Sequence, residues 1–206
     1  MKIKNYILII LVCLFTAGCK TTGYFSGYAN LVIMIVDEKG LAIEDFNLEL
    51  SNFNKEEKGI TNKNGICVFH NVPSGEYELS GTKDGYAKLE AASINFIEKS
   101  DVFCFRVESG EAIFQQVEKN FEAEKYESGI KLLEKIVCPK KSELYAAVCF
   151  YKAFAFAMLN DTKACKREIK KIKAADKAFA EQYQQALVQL SELRGSMGED
   201  DENKDL

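Results

Sequence analysis

The chain has no tryptophan, a single histidine (His70) and two prolines, Pro73 and Pro139. One histidine cannot supply the two imidazoles of a zinc peptidase centre, and no close cysteine pair offers the spacing of a structural zinc site. His70, beside Asn71, reads as a surface polar residue. There is no Ser-His-Asp order worth building on it, and no glycine-rich loop of phosphate-cradling spacing. The acidic pairs Glu56-Glu57 and Asp200-Asp201 lie in polar segments, where a solvated surface accounts for them better than acid and base work. On these grounds the sequence reads as non-enzymatic, with no catalytic residues, no metal and no cofactor. An excess of positive charge is also missing. With 27 basic against 31 acidic residues and a net charge of -4, the chain carries no electrostatic footprint for nucleic acid or anionic lipid. Nor is any apolar run long enough to span a bilayer: the run at residues 6–15 falls short of the ~20 residues that a spanning helix needs.

What is present begins with that run. Lys2 and Lys4 precede it, Thr16, Ala17 and Gly18 follow it, and Cys19 closes it, which is the layout of an export signal. Small residues ending at a cysteine resemble the bacterial lipobox. The resemblance implies that residues 1–18 are removed and that Cys19 is acylated, so that the lipid bilayer is the first partner; stable anchoring takes more than one acyl chain. An ordinary cleaved signal with an incidental cysteine is the alternative. Residues 19–29, with Gly23, Ser26 and Gly27, then form a lipidated tether. Lys20 is not the Asp that keeps many lipoproteins at the inner membrane, which favours a periplasm-facing envelope protein of the outer membrane.

Beyond Cys13 and Cys19, the cysteines are Cys67, Cys104, Cys138, Cys149 and Cys165. Their neighbours are apolar or helical, and most read as small buried hydrophobes. If the compartment is oxidising, the pair open to a disulfide is Cys67 with Cys104, both in the strand-rich half.

The periodicity changes near Gly110. Before it, apolar or alternating runs at 31–36, 46–50, 66–69, 77–80 and 102–107 are separated by turns at 37–40, 62–65, 72–75 and 83–86. This spacing predicts an antiparallel β-sandwich of six or seven short strands over 30–108. The order Val36-Asp37-x-x-Gly40-x-x-Ile43, Thr61-x-x-x-Gly65-x-x-x-Phe69, Val72-Pro73-x-Gly75-x-Tyr77 and Lys83-x-Gly85-Tyr86 resembles the carboxypeptidase regulatory-like family of prealbumin-type sandwiches. The resemblance implies a spacer or recognition module and no peptidase. Residues 31–36 contain no Lys and 102–107 no Asn, so a self-formed isopeptide crosslink between first and last strands is not expected.

After Gly110, apolar residues recur at helical spacing in segments 111–123, 126–137, 142–159, 162–174 and 178–193. They make up a helical domain over 110–194, followed by a polar acidic tail, 195–206, that reads as disordered. The pattern Tyr126-x-x-Gly129-x-x-x-Leu133-x-x-Ile136 returns as Thr162-x-x-Cys165-x-x-x-Ile169-x-x-Ile172. It resembles tetratricopeptide repeats. The resemblance implies α-helical hairpin repeats with Ala153, Gly129 and Cys165 at close helix approaches, Phe156 at the aromatic position, and a concave groove that takes peptides. The first pair carries Val117 and Asn120 at its small and aromatic positions. Segment 142–159 holds one cation, Lys152, and is otherwise apolar nearly all round, so it must be covered on every side. In the repeat geometry Phe150, Phe154 and Met158 face the groove, with Phe114 and Phe121 alongside. The other reading is that a further helix or the sandwich covers that surface.

The resulting expectation is a two-domain chain, β then α, acting as a membrane-anchored envelope lipoprotein that scaffolds another envelope protein through its helices. Its oligomeric state is left open. A second reading is a glycan or surface-ligand binder using the sandwich loops, with Tyr77, Tyr86 and Phe53 as the aromatic candidates.

Overall fold

Alternation of side chains builds the first sheet. β1 (Tyr28–Val36) reads YANLVIMIV, and its period of two sends Leu31, Ile33 and Ile35 into the core at 0 % exposure while Val32 and Met34 face outward. The structure, a computed structural model, describes residues 25–53 and 55–175, with side chains to residue 172. Cys19, the export signal, the helical segment at 178–193 and the acidic tail lie outside the described residues. β1 is the centre of a three-stranded sheet, with β4 (Ile66–Pro73) antiparallel on one side and β7 (Val102–Arg106) parallel on the other.

The second sheet has the order β3-β2-β5-β6, formed by β2 (Asn47–Ser51), β3 (Glu56–Ile60), β5 (Gly75–Thr82) and β6 (Leu89–Phe96), antiparallel throughout. Leu48, Leu50, Tyr77, Leu79, Ile94 and Phe96 are its buried face and join Leu31, Ile33 and Phe69 of the first sheet in one apolar cluster. The fold is therefore a β-sandwich followed by helices. One expectation is corrected: the sandwich is not wholly antiparallel. The chain leaves the first sheet, builds part of the second, and crosses back to enter beside β1 in the same direction, pairing Val32 with Val102 through Val36 with Arg106.

Turn chemistry sets the registers. Gly65, at φ +72°, brings its Cα so near the Ile35 carbonyl that an added Cβ would sit 2.5 Å from that oxygen. Thr61 pins the approach to β2 from inside: its hydroxyl donates to the Ile43 carbonyl at 2.6 Å and accepts from the Phe46 N–H at 2.9 Å.

Four helices follow among the described residues: α1 (Gly110–Glu122), α2 (Tyr126–Leu133), α3 (Glu143–Met158) and α4 (Thr162–Ala175). Ser109 caps α1 by accepting from the Ala112 N–H at 3.2 Å, and Ser142 caps α3 by accepting from the Tyr145 N–H at 3.1 Å. Asp161 does the same for α4, accepting from the Ala164 N–H at 2.9 Å. The apolar spacing predicts that the second helix runs to residue 137; it ends at Leu133 instead. Residues 135–137 peel away to pair with the loop before β6: Gly85 N–H donates to the Val137 carbonyl at 2.8 Å, Val137 N–H to Tyr86 at 2.9 Å, and Lys88 N–H to Lys135 at 3.0 Å. Backbone bonds won by this junction replace those of a last helical turn. The same cluster that fills the sandwich continues into Ile113, Val117, Leu133, Ile136 and Val148, so strands and helices share one core.

Candidate functional site

α3 places an aromatic row against α1 and α2. The Tyr151 ring lies 5.0 Å from Phe114 and 6.3 Å from Phe121, and Phe150 adjoins it at 6.1 Å. Phe154, one turn on, meets Phe121 at 5.5 Å and Tyr126 at 6.4 Å. These separations fall in the range of tilted and edge contacts that stabilise aromatic pairs. The rings are half-buried, and Met158, the next residue on that face of α3, is 38 % exposed. Of the residues singled out from the sequence, Phe114, Phe121 and Phe154 are thus brought into one aromatic face with Met158 at its margin, and Phe150 joins it through Tyr151 while also packing against Ala146, Cys149 and Ile172. Tyr126 and Tyr151 knit the face together. Neither is among the groove candidates that helical spacing gives, although Tyr151 stands next to Phe150 and Tyr126 heads the repeated pattern.

Close packing makes the face possible. Gly129 of α2 lies under Phe121, and a Cβ there would overlap the Phe121 ring. Along the other side of α3, Ala153 and Ala157 meet Cys165 of α4, with Phe156 and Ile169 packed around them. Ala146 and Cys149 meet Ile172 in the same way. Small residues on both helices let the backbones approach. The polar border consists of Glu118, whose carboxylate accepts from the Tyr151 hydroxyl at 2.8 Å, and Glu134, paired with Lys152 at 3.3 Å.

The cysteines follow the buried reading in part. Cys67, Cys149 and Cys165 are buried, Cys138 is half-buried and Cys104 is exposed. A bridge between Cys67 and Cys104 does not fit this fold, and both are free thiols. Cys67 pairs across from Ile33 and points into the core, whereas Cys104 pairs across from Met34 and points out. With β1 between them the two Cα atoms are about two strand spacings apart, beyond the ~7 Å that a disulfide tolerates. Burial, then the nearby Glu168 carboxylate, pushes the Cys149 thiol up to about 11. It is a protonated core residue at neutral pH. Glu168 itself is 3 % exposed, and Lys171 pairs with its Oε1 at 2.7 Å.

Of the sandwich aromatics, Tyr77 is buried with its hydroxyl donating to the Pro73 carbonyl at 2.9 Å, and Tyr86 is half-buried against the core. Of these three candidates Phe53 is the exposed one, so the aromatic cluster expected at one sandwich end does not form from them. His70 Nδ1 lies 3.1 Å from the Asn30 side-chain oxygen at the surface. Among the described residues no group of three or more His, Cys, Asp or Glu is placed to hold a metal ion. No described helix is long and apolar enough to cross a membrane.

No family model matches this sequence. No curated protein matches it either. Solved structures similar to part of it include the Bacillus anthracis TIE protein, at 25 % identity and TM-score 0.37 over 41 % of this chain and 17 % of that one. A streptococcal ancillary pilin is similar at 14 % identity and TM-score 0.35, covering 41 % and 30 %. A DUF3823 family protein from Bacteroides ovatus is similar at 14 % identity and TM-score 0.34, covering 39 % and 44 %. Each likeness takes in less than half of this chain and less than half of the other.

A side-chain contact joins the two halves. Glu38, in the turn after β1, accepts from the Ser109 N–H and the Ser109 hydroxyl, both at 3.0 Å. The Ser109 backbone bond, the largest cause, holds the Glu38 carboxyl below its ordinary value of 4.5. The residue that caps α1 is thereby fastened to the sandwich. Nothing in the spacing of residues 38 and 109 announces this pair.

Proposed function

We propose that this chain is a non-enzymatic lipoprotein of the bacterial envelope, anchored through acylated Cys19. In this reading the sandwich is the spacer next to the membrane, and the helices are hairpins of tetratricopeptide-repeat type that dock an apolar segment of another envelope protein. The aromatic face carries the reading. Phe150 and Phe154 stay half-buried where a sealed core would enclose them, and the face ends in exposed Met158. Adaptable sulfur beside aromatic rings suits a surface that receives an apolar helix or peptide. The small residues Gly129, Ala153 and Cys165 at close helix approaches support the repeat reading.

A photo-crosslinking residue placed at position 158 of the membrane-anchored chain tests the docking claim, with position 68 on the sandwich as control. A crosslink to one envelope protein from 158, absent from 68 and diminished by Phe150→Ala, is expected. No product from 158, or the same product from both positions, overturns the reading. Cys19→Ser is expected to move the chain from the membrane to the soluble fraction, and its retention in the membrane would refute the anchor.

A further inference from the structure

A groove of about 520 Å3 lies on the outer face of the four-stranded sheet, beside the hairpin that joins β2 and β3. That volume is within the ~300–1,000 Å3 of small-molecule sites. Strand register composes its floor. Ser51 of β2 stands opposite Glu78 of β5, and Glu78 stands opposite Ser93 of β6; the neighbouring outward row sets Glu76 opposite Asn95. Side chains directly opposite on antiparallel strands lie about 5 Å apart. The row therefore carries hydroxyl, carboxylate and hydroxyl across three strands.

Phe53 supplies the one exposed aromatic of the groove, and its ring is fully exposed at 105 %. The residues that flank its loop are hydrogen-bonded to each other. Asn52 N–H donates to the Lys55 carbonyl and Lys55 N–H to the Asn52 side-chain oxygen, each at 2.9 Å. Asn52 is also hydrogen-bonded to the buried Tyr77. A phenyl ring thus stands in water at the edge of a polar floor, next to Asn52, which is tied to the sheet beneath it.

The charges narrow what can bind. No Lys or Arg lines the groove. The neighbouring cations are occupied, Lys55 with Glu57 at 2.6 Å and Lys58 with Glu56 at 3.2 Å and Glu49 at 3.7 Å. Glu76 and Glu78 have no ion-pair partner among the described residues. Two carboxylates without a counter-ion repel phosphates and uronates and accept from hydroxyl or amine donors. A sugar ring presents both required surfaces: hydroxyls along its edge and a C–H face that lies against an aromatic ring. We infer that this groove binds a short saccharide that is uncharged or amine-bearing, with its hydroxyls on Glu78, Glu76, Ser51, Ser93 and Asn95 and one ring face on Phe53. The site is on the sandwich and stands or falls separately from docking on the helices.

The test is calorimetric titration of the full chain in detergent micelles with tetramers of N-acetylglucosamine, glucosamine and galacturonic acid. Saturable binding of at least one of the first two is expected, with none of the galacturonate. Phe53→Ala, at a fully exposed position, leaves the circular dichroism spectrum unchanged and weakens that binding at least tenfold. Glu76→Gln with Glu78→Gln weakens the amine-bearing tetramer more than the acetylated one. The inference is overturned by absence of binding to both of the first two tetramers, by equal binding of the galacturonate, or by affinity unchanged in folded Phe53→Ala.

Discussion

Thr61 is 1 % exposed, and both hydrogen bonds of its hydroxyl go to backbone groups that otherwise have no solvent to turn to. Thr61→Val keeps the shape and removes the bonds. Leaving a buried donor or acceptor unsatisfied costs about 1–3 kcal/mol, so urea unfolding is expected to show a loss of that size; a loss below ~0.5 kcal/mol would contradict the pinning role. Glu38 gives a pH-dependent counterpart. Its carboxyl is lowered below 4.5 in the folded chain by the Ser109 backbone bond, so its stabilisation is present above the ordinary value and lost as pH falls through the lowered one. Glu38→Gln is expected to melt below the parent by a constant margin at neutral pH, with the margin shrinking as pH drops past 4.5. A margin that grows on acidification would contradict the assignment. Burial that leaves Cys149 protonated likewise makes it a packing residue, and the exposed Cys104 is the described thiol open to solution reagents.

Among the elements, those with a strong period were legible in the sequence. β1 alternates with three aliphatic residues on its inner side, and α3 and α4 begin at Ser142 and Asp161, side chains suited to cap a helix; the Ser109 cap of α1 emerges only in the structure. β3 was not legible, because EEKGI has no apolar alternation; its inner positions are Glu57 and Gly59, and a Cβ at Gly59 would overlap the Cys67 sulfur. β6, LEAASINF, is small and polar for most of its length and is a strand because β5 pairs with it. The end of α2 escapes the pattern for a related reason: 3.6-residue spacing places Ile136 on the apolar side, yet a bridge to Ala87 buries it equally well. Of the candidate site, the phenylalanines were legible from helical spacing, while the tyrosine links and the Glu38 to Ser109 tie are tertiary. α2 also offers a sharp test. Gly129→Ala gains up to about 1 kcal/mol of helix propensity, but the methyl meets a Phe121 ring hemmed in by Tyr126, Tyr151 and Phe154, and overpacking costs about 1–3 kcal/mol. Net destabilisation is expected in denaturant unfolding, and a gain would mean that the ring is free to yield.

For the molecule as a whole, the shared core and the backbone bonds at 85–88 and 135–137 couple sandwich to helices. Unfolding followed by helix circular dichroism and by hydrogen exchange in β1 is expected to give coincident transitions; two separate transitions would show that the coupling is weak. Rigid attachment matters for the proposed role, since a partner held on the aromatic face is then held in a fixed position relative to the sandwich. Docking requires that face to be open to a partner. The most direct measurement is binding of an apolar dye to the soluble form beginning at Lys20, with its mass followed by light scattering. Saturable dye binding or self-association, either one reduced by Met158→Glu, is the result this account predicts. A compact monomer that takes up no dye would mean that the aromatic face is covered within the chain, and would contradict docking there.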